Sequence, residues 1–322
     1  MSAVAQRLRQ SPAMPVSIML LIVIYAVGLA EIDGFGGTST IRAVLLLSTF
    51  LGLAAAGQTF VVLVGGIDLS IPYMVDAANV AVAQLHGTGT PFILACVIVI
   101  AAAAATGVLN AIISVRCKVH PLLVTLGVGT ALVGAVQYWT KGLPVGGPPS
   151  WLTSFVSIGG STGPVPIPPV VVLWIIVAGA LLFVLRRTVF GRRLYALGSA
   201  PQAAELALIR PTRVWIGAFV LSAVLAAVSG ILQLGFSGSA DATVGDPYLF
   251  LSVGAVVIGG TTIGGGAGGY AGTIIGTLTL TLLTTVFVGL GFSNALQQTV
   301  LGAAIVALVA TYGRNAHVRS RI

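Results

Sequence analysis

The sequence predicts an all-α polytopic membrane protein, and three observations carry that prediction. Of its 322 residues, 57% are hydrophobic and only 7% are charged, whereas about a quarter of a soluble domain is charged. The apolar residues fall into long runs of helical length, with none of the period-two alternation that membrane β-strands require. The chain also holds 42 glycines, as expected where helices without a hydrophobic drive between them pack through small residues. Mean hydropathy is +1.07.

Ten apolar runs read as candidate spans. They are Pro15–Ala30, Val44–Val64, Pro72–Leu85, Phe92–Val115, Pro121–Tyr138, Pro169–Leu185, Trp215–Gly235, Tyr248–Ile263, Tyr270–Gly291 and Ala295–Tyr312. An even number puts both termini on one side. With that side cytoplasmic, Arg7, Arg9, Arg116, Lys118, Arg186, Arg187, Arg192, Arg193, Arg210, Arg213, Arg314, Arg319 and Arg321 all lie inside. Arg42 and Lys141 alone lie outside, as the positive-inside rule requires. The formal charge of +8 therefore encodes orientation and gives no sign of nucleic acid as a partner. No small-residue cleavage site follows the first run, which reads as a retained span. Cys96 and Cys117 stand about 30 Å apart on a helix, too far to pair.

The third run is short, about 21 Å as a helix, and carries Asp76 and Asn79; it reads as a full span or as a re-entrant helix. The external connection 140–168 is rich in Gly, Pro and Ser and reads as an ordered cap. No soluble domain is present, so residues 1–322 form one transmembrane domain. Val61–Ile67 resembles Ala255–Thr261, aligning Gly65 with Gly259 and Gly66 with Gly260. Duplication and chance both account for so short a match.

One charged interruption stands out, the cytoplasmic loop 186–214. Within it Ser199 is a candidate N-cap, Pro201 suits a first helical turn, and Pro211 ends the helix after Arg210. A helix of about 15 Å cannot cross a bilayer. Leu206 and Ile209, with Ala203 a turn earlier, would form an apolar knob ringed by Arg192, Arg193, Arg210 and Glu205. Such a knob outside the membrane calls for a protein partner; for Arg186 and Arg187, at the span end, lipid headgroups are the simpler partner.

The polar residues inside the apolar runs are the candidates for a solute path. In G-G-I-D-L-S, Gly65 and Gly66 loosen the helix and Asp68 and Ser70 follow at membrane depth, where a carboxylate marks a pathway or caps the next helix. Tyr73, Asp76 and Asn79 recur every three residues on one helix face, to line a path or to bond neighbouring helices. Asn110 adds an amide to the fourth run. The glycine run 264–269 lacks G-x-x-x-x-G-K-[ST], so it is no ATP site. Gly268, Gly272 and Gly276, four residues apart, instead suit helix packing. Nothing supports catalysis or a metal site.

Four stretches together resemble the permease subunits of bacterial ribose-type ABC importers. They are G-G-I-D-L-S at 65–70, G-V-L-N-A with P-L-L-V-T-L-G at 121–127, F-G-R-R-L-Y-A-L-G-S-A-P-Q-A-A at 190–204 and V-V-I-G-G-T-T-I-G-G-G at 256–266. The resemblance implies an inner-membrane permease that dimerises with itself or a similar subunit. It would receive a small sugar from an external binding protein and be driven by a separate ATPase that binds the ATP and Mg. By resemblance, Ser199–Arg210 matches the coupling helix; Gly198 joins the candidate coupling residues, and Gly65, Gly66, Gly259 and Gly260 join the candidate packing or hinge glycines. The chain departs from the family pattern at Ile71-Pro72-Tyr73, Ala111 and Ser199, which leaves the solute open. A transporter or channel working alone is the alternative, and a membrane receptor or scaffold a third; Asp68 and Asp76 would be the former's coupling groups.

Overall fold

The computed structural model describes residues 13–293, 295–300, 302 and 303. All its regular elements are helices: α1 (Ala13–Glu31), α2 (Thr38–Leu63), α3 (Ile71–Gly87), α4 (Phe92–Arg116), α5 (Pro121–Thr140), α6 (Ser150–Phe155), α7 (Pro169–Arg187), α8 (Val189–Ser199), α9 (Pro201–Leu206), α10 (Pro211–Ser237), α11 (Tyr248–Ile258) and α12 (Tyr270–Gly289). Among the described residues seven are long and apolar enough to cross a bilayer: α1, α2, α4, α5, α7, α10 and α12. The third and eighth apolar runs become shorter helices of 17 and 11 residues. Of the tenth run, residues 295–300 are helical, and most of the rest lies outside the described residues.

The shortening of α11 has a local cause. Both α2 and α11 end in the same left-handed glycine turn. Gly65 N–H donates to Val62 O and Gly66 N–H to Val61 O; Gly260 N–H donates to Val257 O and Thr261 N–H to Val256 O. Gly65 and Gly260 have φ of +89° and +80°, which a side chain resists. The structural register therefore pairs Gly65 with Gly260, one residue away from the match seen in the sequence. The glycine run that follows the second turn closes on the first, because Gly266 N–H donates to Leu63 O at 3.0 Å.

The bundle is organised around α10, which packs on α2, α3 and α4, while α12 packs on α1, α2 and α11. Glycines set these distances: a Cβ at Gly107 of α4 would meet the Phe219 carbonyl of α10, and one at Gly230 of α10 the Val75 carbonyl of α3. Gly272 and Gly276 bring α12 against the Gly259 and Ala255 carbonyls in the same way, whereas Gly268 precedes the helix and lies against Thr261. The centre of the bundle is correspondingly small and aliphatic, with Ala54, Ala55, Ala78, Ala218, Ala226 and Ala227 all buried.

Connection 140–168 is an ordered cap. Its helix α6 sets Leu152 and Val156 against Gly235, and Val145 N–H donates to Gln84 Oε1 at 2.9 Å. This cap sits at the end of the bundle opposite α8 and α9. Because a backbone carbonyl cannot move aside as a side chain can, Gly230→Val should destabilise the protein by about 1–3 kcal/mol, seen as a lower unfolding midpoint in detergent.

Candidate functional site

The break between α2 and α3 places a buried carboxylate where four elements converge. Asp68 is 1% exposed. Its Oδ1 accepts from Ser70 N–H at 2.9 Å and from the Ser70 hydroxyl, and its Oδ2 accepts from Ser222 of α10 at 2.7 Å. Asn110 of α4 donates to Ser70 Oγ at 3.0 Å, and the Leu69 N–H donates to Thr125 Oγ1 of α5 at 2.9 Å. Every hydrogen bond on the carboxylate comes from a neutral donor. The arrangement draws α3, α4, α5 and α10 onto one irregular stretch of backbone.

Further along α3, the polar stripe serves a second stretch of irregular backbone. After α10, residues 238–247 run back alongside α3 in the opposite sense. Asn79 Oδ1 accepts from Asp241 N–H at 2.9 Å and Asp76 Oδ1 from Gly245 N–H at 2.6 Å, and Gly245 rests against the Pro72 carbonyl. Non-helical backbone at membrane depth persists only where protein or a wet cavity satisfies it, and Asp76 and Asn79 supply those acceptors. Asn79 also donates to Gly230 O at 3.3 Å. Tyr73 does not share this task; its ring packs on Gly129 of α5.

Between α3, α5 and this segment lies a cavity of about 140 Å³, lined by Asp76, Val80, Val136, Gln137, Thr140 and Ala242 among others. Asp76 is thus both a support for the segment and part of a cavity wall.

The candidates of loop 186–214 are brought together, though not in the predicted form. The helix over this stretch is shorter than the sequence suggests: α9 ends at Leu206, and Leu208 adopts a left-handed φ of +58°. That reversal turns Ile209 inward, where it packs on the core, and leaves Leu206 and Leu208 projecting at 87% and 90% exposure. The projecting apolar pair is therefore Leu206 with Leu208, not Leu206 with Ile209. Ser199 is the last residue of α8 and does not cap α9, whose N-cap is Ala200. Arg192, Arg193, Ala203, Glu205 and Arg210 of the same segment are exposed as well.

The same segment is fastened to the bundle at the glycine run 264–269. Ser199 Oγ donates to Gly266 O at 3.2 Å and Tyr195 Oη to Gly268 O at 2.9 Å. Burial pushes the Tyr195 phenol up from its ordinary value, with Arg186 opposing, so the hydroxyl stays a donor. Gly198 is buried, and a Cβ there would overlap the Leu63 carbonyl. Leu63 lies five residues before Asp68.

Among the described residues no three His, Cys, Asp or Glu converge to hold a metal. Ser222, Thr125, Tyr195 and Leu208 were not singled out from the sequence. Thr125 sits in the P-L-L-V-T-L-G stretch, but Ser222 is one hydroxyl in an apolar run and only the fold gives it a carboxylate.

Residues 40–309 match the family described as branched-chain amino acid transport system / permease component. The chain belongs to this permease family. It is 33% identical to the probable ABC transporter permease protein YphD of Escherichia coli K12, over 91% of this chain and 87% of that one. It is 31% identical to the ribose import permease protein RbsC of Haemophilus influenzae, over 92% and 91% of the two chains. With RbsC of Bacillus subtilis it shares 33% identity over 80% of each. No solved structure matches. The permease is thus a multi-pass protein of the bacterial inner membrane, a subunit of an ABC importer.

In this permease the carboxylate of Asp68 depends on donors from two helices. Ser222→Ala removes one and leaves a buried carboxyl oxygen without its donor, a loss of about 1–3 kcal/mol. Thermal unfolding in detergent should detect it, and Ser222→Thr, which keeps the hydroxyl, should recover part of the loss.

Proposed function

We propose that this permease subunit carries a small neutral sugar inward, driven by a separate ATPase that docks on α8 and α9. The bilayer is crossed ten times by a single transmembrane domain over residues 1–322, with both termini and loop 186–214 in the cytoplasm and connection 140–168 outside. The observation that carries this reading is the projecting Leu206–Leu208 pair. Two large aliphatic side chains held in water by a short helix are costly, and a groove on a soluble partner removes the cost. From that pair the chain leads directly to Gly198 and the inner ends of α2 and α11, so a push on α9 reaches the Asp68 cluster.

The sugar is inferred from the relatives, which include ribose import permeases and a fructose import permease of Rhizobium meliloti at 29% identity. A sugar-binding protein would deliver the solute at the face carrying the 140–168 cap, and a second permease copy or a similar subunit would complete the translocation unit. The chain itself catalyses nothing in this reading; ATP and Mg stay with the ATPase.

The test is the double variant Leu206→Asp, Leu208→Asp in the full importer. It should insert and unfold as the parent does, yet lose co-purification with the ATPase and at least ten-fold in sugar uptake. Normal uptake would remove the docking claim, and uptake by the parent without any ATPase would favour a transporter working alone. Gly198→Ala should leave the ATPase bound but lower the sugar moved per ATP hydrolysed, measured in proteoliposomes.

A further inference from the structure

The cavity between α3, α5 and the segment 238–247 is used by neither the docking surface nor the Asp68 cluster. Its wall contains a carboxylate that is 2% exposed and only half used. Asp76 Oδ1 is taken by Gly245 N–H; the other oxygen belongs to a side chain that lines open space. A carboxylate at membrane depth normally has a partner, and none of the lining side chains is a cation. Gln137 and Thr140 stand on the α5 wall, one turn apart at most, while Val80, Val133, Val136 and Pro144 make the remainder apolar.

We propose that this cavity is a binding station for the transported solute on its way in from the outer face, and that it selects a neutral polyhydroxylated molecule. The inference rests on the importer reading given above. The free oxygen of Asp76 accepts from a hydroxyl group, and the Gln137 amide both donates and accepts. The aliphatic wall takes the C–H face of the ring, the division of labour usual in small-molecule pockets. An anion is disfavoured because Asp241 and Asp246 lie near enough to act on Asp76 electrostatically and no cation lines the cavity to receive it. An amino acid is disfavoured for a related reason: its ammonium group suits Asp76, but its carboxylate would enter a cavity lined by no Arg, Lys or His. The site therefore discriminates within a family whose description names amino acid transport and whose relatives include ribose and fructose permeases.

The arrangement also links occupancy to structure. Asp76 holds both the solute and Gly245, so a ligand on one carboxylate oxygen bears on the re-entrant segment through the other. Asn79, which is one turn away and bonded to Asp241 and Gly230, keeps that segment in place without entering the cavity wall.

Two variants of the complete importer, reconstituted with its ATPase and binding protein, test the site. Asp76→Asn keeps an oxygen for Gly245 N–H and turns the other acceptor oxygen into a donor amide; Gln137→Leu, at an exposed position, removes the amide. Radiolabelled D-ribose and D-fructose are the probes, and L-leucine is the control. Each variant should take up the sugar that the parent transports at least ten-fold more slowly, with ATPase association and unfolding midpoint unchanged. Uptake within two-fold of the parent in both variants would overturn the site and leave the importer reading standing. If the parent moves leucine and neither sugar, the sugar reading falls and the site's selectivity with it. Should Asp76→Asn fail to assemble, Gln137→Leu decides alone.

Discussion

The constraint on which the rest of the bundle depends is the need to hold irregular backbone and a carboxylate inside a membrane. Once α2 ends at its glycine turn, residues 64–70 have no helical ladder to satisfy them, and Asp68 is carried into the interior with them. The fold answers with Ser70 on α3's leading edge, Asn110 on α4, Thr125 on α5 and Ser222 on α10. Those four residues fix the relative height of their elements, because moving any one strands a buried polar group. The α10-centred packing follows, with glycines letting the backbones come close enough for short Ser and Asn side chains to reach.

The same problem is solved a second time on the far side of α3. Segment 238–247 passes beside that helix, and Asp76 and Asn79 give it the acceptors that water would otherwise provide. Both stretches of irregular backbone bear on the N-terminal half of α3, which also packs its apolar face, Ile71, Met74, Val75, Ala78, Val82 and Ala83, into the core.

Segment 186–214 meets this interior at one crowded place. Leu63 O, Gly266 N–H, the Gly198 backbone and the Ser199 hydroxyl are all in contact there. A surface helix attached only by its loops would follow a partner without transmitting force. This one is anchored against the end of α2 and the glycine run after α11, and the former leads in a few residues to Asp68.

Much of this was legible in the chain. Membrane class, most of the helical spans, the exceptional character of 186–214 and the polar residues of G-G-I-D-L-S all follow from composition and period, since burial in lipid acts on the local sequence. The short form of α9 was not legible, because a left-handed Leu208 breaks a pattern that helix propensity favours, and it exchanged Ile209 for Leu208 at the surface. Nor was the one-residue shift between the two glycine turns, which only hydrogen-bond pairing defines. Above all, the sequence by itself determined which residues are polar inside the membrane; the tertiary structure decided what they do. Asp76 and Asn79 share a helix face with Tyr73, but what each one touches depends on chain that is far away in sequence, and no local pattern encodes that distance.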